Sequence, residues 1–370
     1  MILVLYFLIF ILLCACFIAF ILLKKVYVHT STMAAVMSLG IITQGVLFNF
    51  FGLNSYEKIL SVINLALWGS ISFSFLMTFF KKRFREMHYS NPINRFGMGT
   101  WVAGTSICTI LIAKQFIEWS FIARIIACLN FGLWFIYILI CIRAFFDLKH
   151  KRLTKHVHGI LLLTTVSTQS IVLVMSAVFK NVPMIIDHFF IILGVCFYLI
   201  SGFIIIKRYI IPAESWSVET DWNNTNCILH GAMSITGLAC IKSHSVSEHE
   251  IRLIWLFAAT IFVLVESLEV FRLVKRIKGF GMKKGVLTYD VSQWSRIFTF
   301  GMFFTFTFLT VPGNTFLLVI KKTIISVGIF TIPFLLVFEV SLCFIFLIQV
   351  FRKYSRPLPS NVNDKVNAPF

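Results

Sequence analysis

Few charged side chains occur inside the long apolar stretches of this chain, and they are the first candidates for chemistry. Glu339 lies near the middle of the last stretch, and Arg296 lies near one end of the stretch before it. A charge inside a membrane segment costs about 2.5–3.5 kcal/mol on insertion scales, so each needs a partner or a function. Glu339 could carry protons or fix helix packing by meeting Arg296 or a hydroxyl, and we favour the structural role. Arg296 could attract anions or extend to lipid headgroups.

Local contacts explain the other ionisable candidates. Glu269 and Arg272 are three residues apart, which on a helix predicts an interfacial salt bridge. His158 and His230 each precede a glycine near the start of an apolar stretch, where we expect bonds to backbone or to Asn226 rather than to haem or metal. The nine cysteines form no CxxC pair, so neither a metal site nor a disulfide framework is predicted. No cofactor is expected.

Glycine and hydroxyl side chains crowd other apolar stretches, as in RFGMGTWVAGTS at 95–106. A helix that faces lipid gains most from bulky apolar side chains, whereas hydroxyls need a polar partner or water. Such helices therefore face protein or a conduction path, and we favour a path over packing alone. The candidate lining residues are Gly99, Thr100, Gly104, Thr105, Thr164, Ser167, Thr168, Ser234, Thr236, Gly237, Thr299 and Gly301.

Membrane-spanning helices must hold these residues. Hydrophobic residues make up 59% of the 370 residues and charged residues 13%, whereas a soluble domain averages about 25% charged residues. A spanning helix needs about 20 mostly apolar residues. Such stretches occur at 2–23, 31–51, 59–80, 96–113, 120–146, 158–179, 184–206, 226–241, 251–274, 293–312 and 324–350. We therefore predict an all-α polytopic membrane protein.

The ten stretches after the first alternate between two kinds. Those that begin at 31, 96, 158, 226 and 293 are rich in Gly, Ser and Thr, and those between them are dominated by Phe, Ile and Leu. This alternation predicts five hairpins, in which the first helix of each joins an inner ring and the second faces lipid. The first stretch lacks the basic n-region and cleavage site of a signal peptide. We expect an extra helix and linker at 1–30, a ten-helix domain at 31–350 and a disordered cytoplasmic tail at 351–370.

The net charge of +18 follows membrane topology rather than nucleic-acid binding. Lys and Arg concentrate in every second loop, as in Lys81-Lys82-Arg83-Phe84-Arg85 and in the segments 143–155 and 272–284. Cytoplasmic loops carry such an excess of basic residues. We therefore place these loops and the C-terminus in the cytoplasm and the multi-pass protein in the plasma membrane. Its partners are the lipid bilayer and not nucleic acid.

Five segments at the starts of the proposed inner helices resemble one family. They are MAAVMSLGI (33–41), RFGMGTWVAGTS (95–106), HGILLLTTVSTQS (158–170), NCILHGAMSITGLA (226–239) and WSRIFTFGMFFTFT (294–307). In order and topology they resemble the tellurite-resistance/dicarboxylate transporter family, which includes the slow anion channel of plant guard cells. The resemblance implies five hairpins in quasi-fivefold arrangement around a central pore, and assembly as a homo-oligomer, a trimer.

The resemblance also implies a pore gate and a substrate class. A phenylalanine of the ninth family helix plugs the pore in family members, and the motif FTFGM places it at Phe300. Several members have proline after that phenylalanine, where this chain has Gly301. The implied substrates are small anions of the C4-dicarboxylate, chloride/nitrate or sulfite class, and some members confer tellurite resistance.

These features predict a channel or secondary transporter for small anions, gated by a phenylalanine. The sequence has no Walker motif, which argues against an ATP-driven pump, and channel and carrier remain alternatives. The second hypothesis is an integral membrane enzyme such as a multi-helix acyltransferase. Scattered His, Asp and Glu residues and short outer loops disfavour it, so we do not predict an enzyme. A sensory receptor ranks third because the loops leave no room for a ligand domain.

Overall fold

The computed structural model of the protein describes residues 2–24, 27–51, 54–150, 153–210 and 217–355. Within these ranges every regular element is a helix. The principal helices are α1 (Ile2–Lys24), α2 (Ala34–Ile41, continued by the π-helical Ile42–Leu47 and by Phe48–Phe51), α3 (Asn54–Phe80), α4 (Gly99–Gln115), α5 (Ser120–His150), α6 (Leu163–Val178), α7 (Met184–Ile210), α8 (Ile228–Ser243), α9 (Glu248–Gly285), α10 (Gln293–Leu309) and α11 (Thr315–Ser355). They match the predicted stretches one for one and confirm the all-α membrane fold.

Nine helical segments of the described ranges are long and apolar enough to cross a membrane. The other two principal helices, α8 and α10, contain 16 and 17 residues. At about 1.5 Å per residue they are about 24–26 Å long, short of the ~30 Å hydrocarbon core. Most of their residues are buried, so protein rather than lipid surrounds them.

The boundary between the last helix and the C-terminal tail differs from the sequence prediction. α11 continues to Ser355, so residues 351–355 are helical rather than part of a disordered tail. Residues 356–370, where the rest of that tail was predicted, lie outside the described residues. A run of apolar residues does not show where a helix ends, because helical geometry can continue into water beyond the membrane.

Local sequence explains where two of the helices begin. Asn91 accepts a hydrogen bond from the backbone N–H of Ile93, and Pro92 starts the short helix Pro92–Phe96 that leads into α4. Ser247 and Glu250 form a capping box at the start of α9. Such caps satisfy the N–H groups that a first helical turn leaves unpaired, which permits short connections between the hairpins.

The helices rich in glycine and hydroxyls form a closed inner ring. α2 packs against α4, α4 against α6, α6 against α8, α8 against α10, and α10 against α2. The outer helices lie outside this ring, and α5, for example, contacts both α4 and α6. In an apolar window of 18 residues within the inner segment Pro92–Gln115, 83% of the residues are buried, whereas 17% are buried in the corresponding window within Thr315–Val350 of the outer helix α11. The predicted quasi-fivefold arrangement of hairpins is confirmed.

Glycines bring the inner helices α8 and α10 close together. A Cβ atom on Gly231 would overlap the side chain of Thr299, and one on Gly237 would overlap the ring of Phe306. Small residues permit such close approach in membranes, where van der Waals packing holds helices together. The same glycines that made these segments candidates for a pore lining therefore serve contacts between helices.

The N-terminal helix α1 lies outside the ring and packs against α3. Cys14 Sγ donates to the carbonyl oxygen of Ala66 at 3.8 Å, and Ile21 is buried. Only 6% of the segment Leu5–Leu23 is buried within the chain. α1 thus occupies the position expected of an extra helix, with most of its surface available to lipid.

Candidate functional site

All five inner helices begin at the same end of the bundle. We call it the basic end, because Lys81, Lys82, Arg83, Lys283 and Lys284 lie there, and the other end the opposite end. Polar contacts at the basic end are Trp101 Nε1 to the carbonyl of Thr30 (2.7 Å), His158 Nδ1 with Thr225 Oγ1 (2.7 Å), Asn224 Nδ2 to Ser292 Oγ (2.9 Å), and Ser38 Oγ to the carbonyl of Trp294 (2.7 Å). At the remaining junction, Gly99 packs against Leu163. The ring is therefore continuous at this end.

The two histidines singled out from the sequence contact side chains, Thr225 and Glu266, rather than backbone or Asn226 as predicted. Burial lowers the pKa of His158 to about 4, so the ring is neutral at pH 7. Asn226 Oδ1 accepts from the backbone N–H of Gly159 at 2.9 Å and therefore serves the residue next to His158. His230 Nε2 lies 3.5 Å from Glu266 Oε1 of α9. Among the described residues there is no group of three side chains suited to hold a metal ion.

Arg296 belongs to a charged cluster between α9 and α10. Its Nη2 lies 2.7 Å from Glu269 Oε2, and its Nε lies 3.8 Å from Glu266 Oε2. Arg272 Nη1 lies 3.4 Å from Glu269 Oε2, which confirms the predicted salt bridge. Two arginines and two carboxylates balance one another, as charges in apolar surroundings must. Arg296 therefore has little unmatched charge to offer an anion in this conformation.

Glu339 has its hydrogen-bond partner on α10. With its amide nitrogen oriented toward α11, Gln293 donates to the two carboxylate oxygens of Glu339 at 2.8 and 3.2 Å. Glu339 is buried. The predicted partners of Glu339 were Arg296 or a hydroxyl of the inner helices. Its partner is instead Gln293, one turn before Arg296. The contact ties α11 to the first turn of α10, in line with a structural role.

The predicted lining residues pack helices together in this conformation. The hydroxyls of Thr100, Thr164, Ser167, Thr168, Ser234, Thr236 and Thr299 donate to carbonyl oxygens three or four residues earlier in the chain. Thr105 accepts a bond from Trp68 of α3 at 3.0 Å. Gly99, Gly104, Gly237 and Gly301 pack against Leu163, Met33, Phe306 and Ile41. Exposure of these residues to an ion path stays a prediction.

The neighbours of α10 define its orientation in the ring. Thr299 packs against α8 and Gly301 packs against α2. Successive residues are about 100° apart on a helix, so Phe300 lies on one of the two faces between these contacts. Its ring meets Phe262 of the outer helix α9 edge-to-face, with 5.1 Å between centroids. Phe300 therefore lies on the outward face, and a gate at this residue requires α10 to turn about its axis.

The opposite face of α10 points toward the axis of the ring and carries Phe298 and Met302. Their exposed fractions are 3% and 4%. On α8, His230 faces α9 and Gly231 faces α10, which leaves Ile235 on the axial side. On α4, Ile107 lies about 200° from Thr105, which contacts the outer helix α3, so Ile107 lies on the axial side, where it also packs against Gly40 of α2. Ile235 and Ile107 are 1% and 7% exposed. Apolar side chains therefore occlude the axis in this conformation. These residues were not predicted from the sequence because hydroxyls were the criterion for lining residues; the signal for them was the apolar stripe opposite the small residues.

Five parallel inner helices in a closed ring, each with an antiparallel helix outside, define a membrane channel or transporter. The family of voltage-dependent anion channels matches residues 27–343, a range that begins after α1 and ends inside α11. The chain therefore belongs to this family, and the resemblance carried by the five inner-helix motifs is confirmed. The search of curated proteins returned no match. Since the family consists of anion channels and transporters, we do not pursue the membrane-enzyme alternative.

Proposed function

We propose that the protein conducts small anions through the plasma membrane along the axis of the inner ring, with the basic end and the C-terminus in the cytoplasm. Family membership supports anions as the transported class. The excess of Lys and Arg at one end supports the orientation, because cytoplasmic loops carry that excess. Chloride, nitrate, sulfite and C4-dicarboxylates are the candidate substrates.

The shared direction of the five inner helices carries this proposal. The N-terminus of a helix bears about half a positive elementary charge on its free N–H groups, and anions bind there for that reason. Five such termini adjoin one another around the basic end. Together with the lysines and arginines of that end, they raise the local concentration of anions and lower that of cations.

We propose an aromatic gate on α10 that closes this path. An apolar constriction stops ions by excluding water, and movement of a ring reopens the path. Family members indicate Phe300 as that ring, whereas the axial position of Phe298 favours Phe298 in the present conformation. Passage gated by Phe300 would require α10 to turn by roughly half a revolution, since residues two apart differ by about 200°.

Anion efflux from vesicles that contain the purified protein tests the proposal. We compare the native protein with Phe300→Ala and Phe298→Ala. Efflux of chloride or nitrate is measured, and efflux of potassium is measured for comparison. We expect anion efflux to exceed potassium efflux in the native protein and to rise about tenfold or more when the gating ring is removed. The variant that shows the rise identifies the gate and, with it, the conducting orientation of α10.

Phe304→Ala is the matched control, because it removes an equal ring that packs against Gly328 of α11. We expect no rise in efflux from this variant. If the native protein conducts and neither gate variant differs from the control, the path stands and both gate assignments fail. If no variant passes anions after correct insertion, anion conduction by this protein is contradicted.

A further inference from the structure

Two lysines at the opposite end of the ring take no part in the contacts described so far. Lys114 and Lys242 are the penultimate residues of the inner helices α4 and α8, and both are exposed. Within the described part of the chain, neither amine forms a hydrogen bond or an ion pair. By contrast, the amine of Lys321 at the same end donates to the carbonyls that close α10.

Both lysines lie on the axial faces of their helices. Lys114 follows Ile107 by seven residues, and Lys242 follows Ile235 by seven. Seven residues are nearly two full turns, so each lysine returns to almost the same face as its isoleucine. On α8, His230 faces α9 and Gly231 faces α10, which leaves the stripe through Ile235 and Lys242 directed inward. The lysines therefore extend the axial stripes to the mouth of the ring.

Both amines lie at this mouth, on inner helices that are not neighbours in the ring. α6 stands between α4 and α8 and packs against both, yet Lys242 lies close enough to act electrostatically on Lys114. Because each lysine is on the axial face of its helix, the side of the mouth that they share is the one around the axis. Glu57 of α3 also acts on Lys114, but its carboxylate accepts a hydrogen bond from the amide of Gln115. Glu250 of α9 lies near Cys240, two residues before Lys242, and its carboxylate is likewise engaged, by the backbone N–H and hydroxyl of Ser247.

We propose that Lys114 and Lys242 form a docking site for a small anion at the opposite end of the path, an inference that rests on the proposed anion pathway. Two ammonium groups that face each other repel, and an anion between them removes that repulsion. A dicarboxylate places one carboxylate against each amine, so dianions should bind more tightly than chloride. Each lysine could also serve only to offset the negative C-terminus of its own helix. That role can be filled from any face of the helix and does not explain why both lysines lie on the axial face.

Influx from the opposite side tests the site. Vesicles that carry oriented protein receive malate or chloride at increasing concentration, and the initial rate is measured. We expect Lys114→Gln/Lys242→Gln to raise the half-saturating malate concentration about fivefold or more, with a smaller increase for chloride and with the maximal rate nearly unchanged. Lys322→Gln is the matched control, because Lys322 is an exposed lysine at the same end on an outer helix. Native concentration dependence in the double variant would overturn the proposal.

Acylation of lysines by a membrane-impermeant amine reagent gives a readout that does not depend on transport. We expect malate to slow modification of Lys114 and Lys242 in the native protein, measured by peptide mass spectrometry, and to leave Lys322 unaffected. Protection without flux would keep the docking site and contradict the proposed conduction. Flux without protection would keep conduction and contradict the docking site. The absence of both would contradict both.

Discussion

Arg296 is the residue whose charge contributes most directly to the packing of α10 against α9. Its partners Glu266 and Glu269 lie almost one turn apart on α9, so one guanidinium fixes the first turn of α10 against the middle of a longer helix. A buried ion pair adds little stability over an apolar pair of similar volume, but removal of one member leaves a buried charge uncompensated. The cluster therefore contributes chiefly to the position of α10.

We expect Arg296→Gln to lower the free energy of unfolding by about 3 kcal/mol or more, because Glu269 and Glu266 lose a partner in apolar surroundings. The unfolding midpoint in detergent measures the loss. Arg296→Gln/Glu269→Gln should lose less than Arg296→Gln alone. The control Arg252→Gln breaks a pair in which Glu248 is 69% exposed and should cost less than about 1 kcal/mol. Equal losses for the single and double variants would contradict the charge argument.

At the scale of elements, the contact between α8 and α10 decides which faces of these helices meet. Gly231 and Gly237 both lie on that contact, and each leaves room for a side chain of the partner helix. Because the two helices meet along this line, α10 presents Phe298 to the axis and Phe300 to α9. The glycine positions thus set the rotation of α10.

Gly231→Ala should lower the free energy of unfolding by about 1–3 kcal/mol, since the added methyl overlaps Thr299 and forces the helices apart. The exposed Gly132 of the outer helix α5 has open space around a Cβ atom. Gly132→Ala should therefore be neutral or stabilise by up to about 1 kcal/mol through helix propensity. Unfolding midpoints of the two variants, measured side by side, check the prediction. A milder effect at Gly231 than at Gly132 would contradict close packing at this contact.

The connection between α3 and α4 should make stability depend on pH. Burial, followed by the charge of His29, lowers the pKa of His88 to about 4, and His88 Nδ1 lies 2.9 Å from Thr30 Oγ1. In the folded protein the imidazole of His88 stays neutral as pH falls below about 6.5, whereas in the unfolded protein it takes up a proton. The free energy of unfolding therefore decreases by about 3 kcal/mol as pH falls from 6.5 toward 4.

Unfolding midpoints between pH 7 and 4 measure this loss. His88→Asn keeps a polar atom without the titration and should reduce the pH dependence. His156→Asn, at an exposed histidine of the same end, should keep the native pH dependence. Identical pH profiles for the native protein and His88→Asn would contradict a buried neutral imidazole.

At the scale of the whole molecule, the ring is complete without α1. Each inner helix has two inner neighbours, and α1 contacts the outer helix α3. The family match begins at residue 27, after α1 ends. The first helix is therefore an addition to a closed architecture rather than part of its closure.

A protein that begins at residue 27 should insert, fold and pass anions at a rate within about twofold of the full chain, because no junction of the ring is lost. Its unfolding midpoint should fall only slightly, since Ile21 is buried but most other side chains of α1 are not. Anion efflux from vesicles and thermal unfolding check the two expectations. Ile21→Ala in the full chain separates the loss of this packing from the loss of the helix. Failure of the shortened protein to conduct would show that α1 supports the path.

The sequence by itself determined the number of helices and their alternation, which predicts an inner ring of five. These features follow from composition averaged over about 20 residues, which a single side chain does not alter. The salt bridge between Glu269 and Arg272 was also predictable, because it depends only on a spacing of three within one helix. The five inner-helix motifs were sufficient to identify the family.

Only the tertiary structure decided how each inner helix is rotated. A hydroxyl in an inner helix can bond to a carbonyl of its own helix, as Thr168 and Ser234 do, so its presence does not require water or a pore. Whether Phe298 or Phe300 faces the axis depends on the glycines that lie at the contacts between the inner helices. The approach of Lys114 to Lys242 likewise depends on two helices separated by a third. Contacts between distant segments set these directions, and no local pattern contains them.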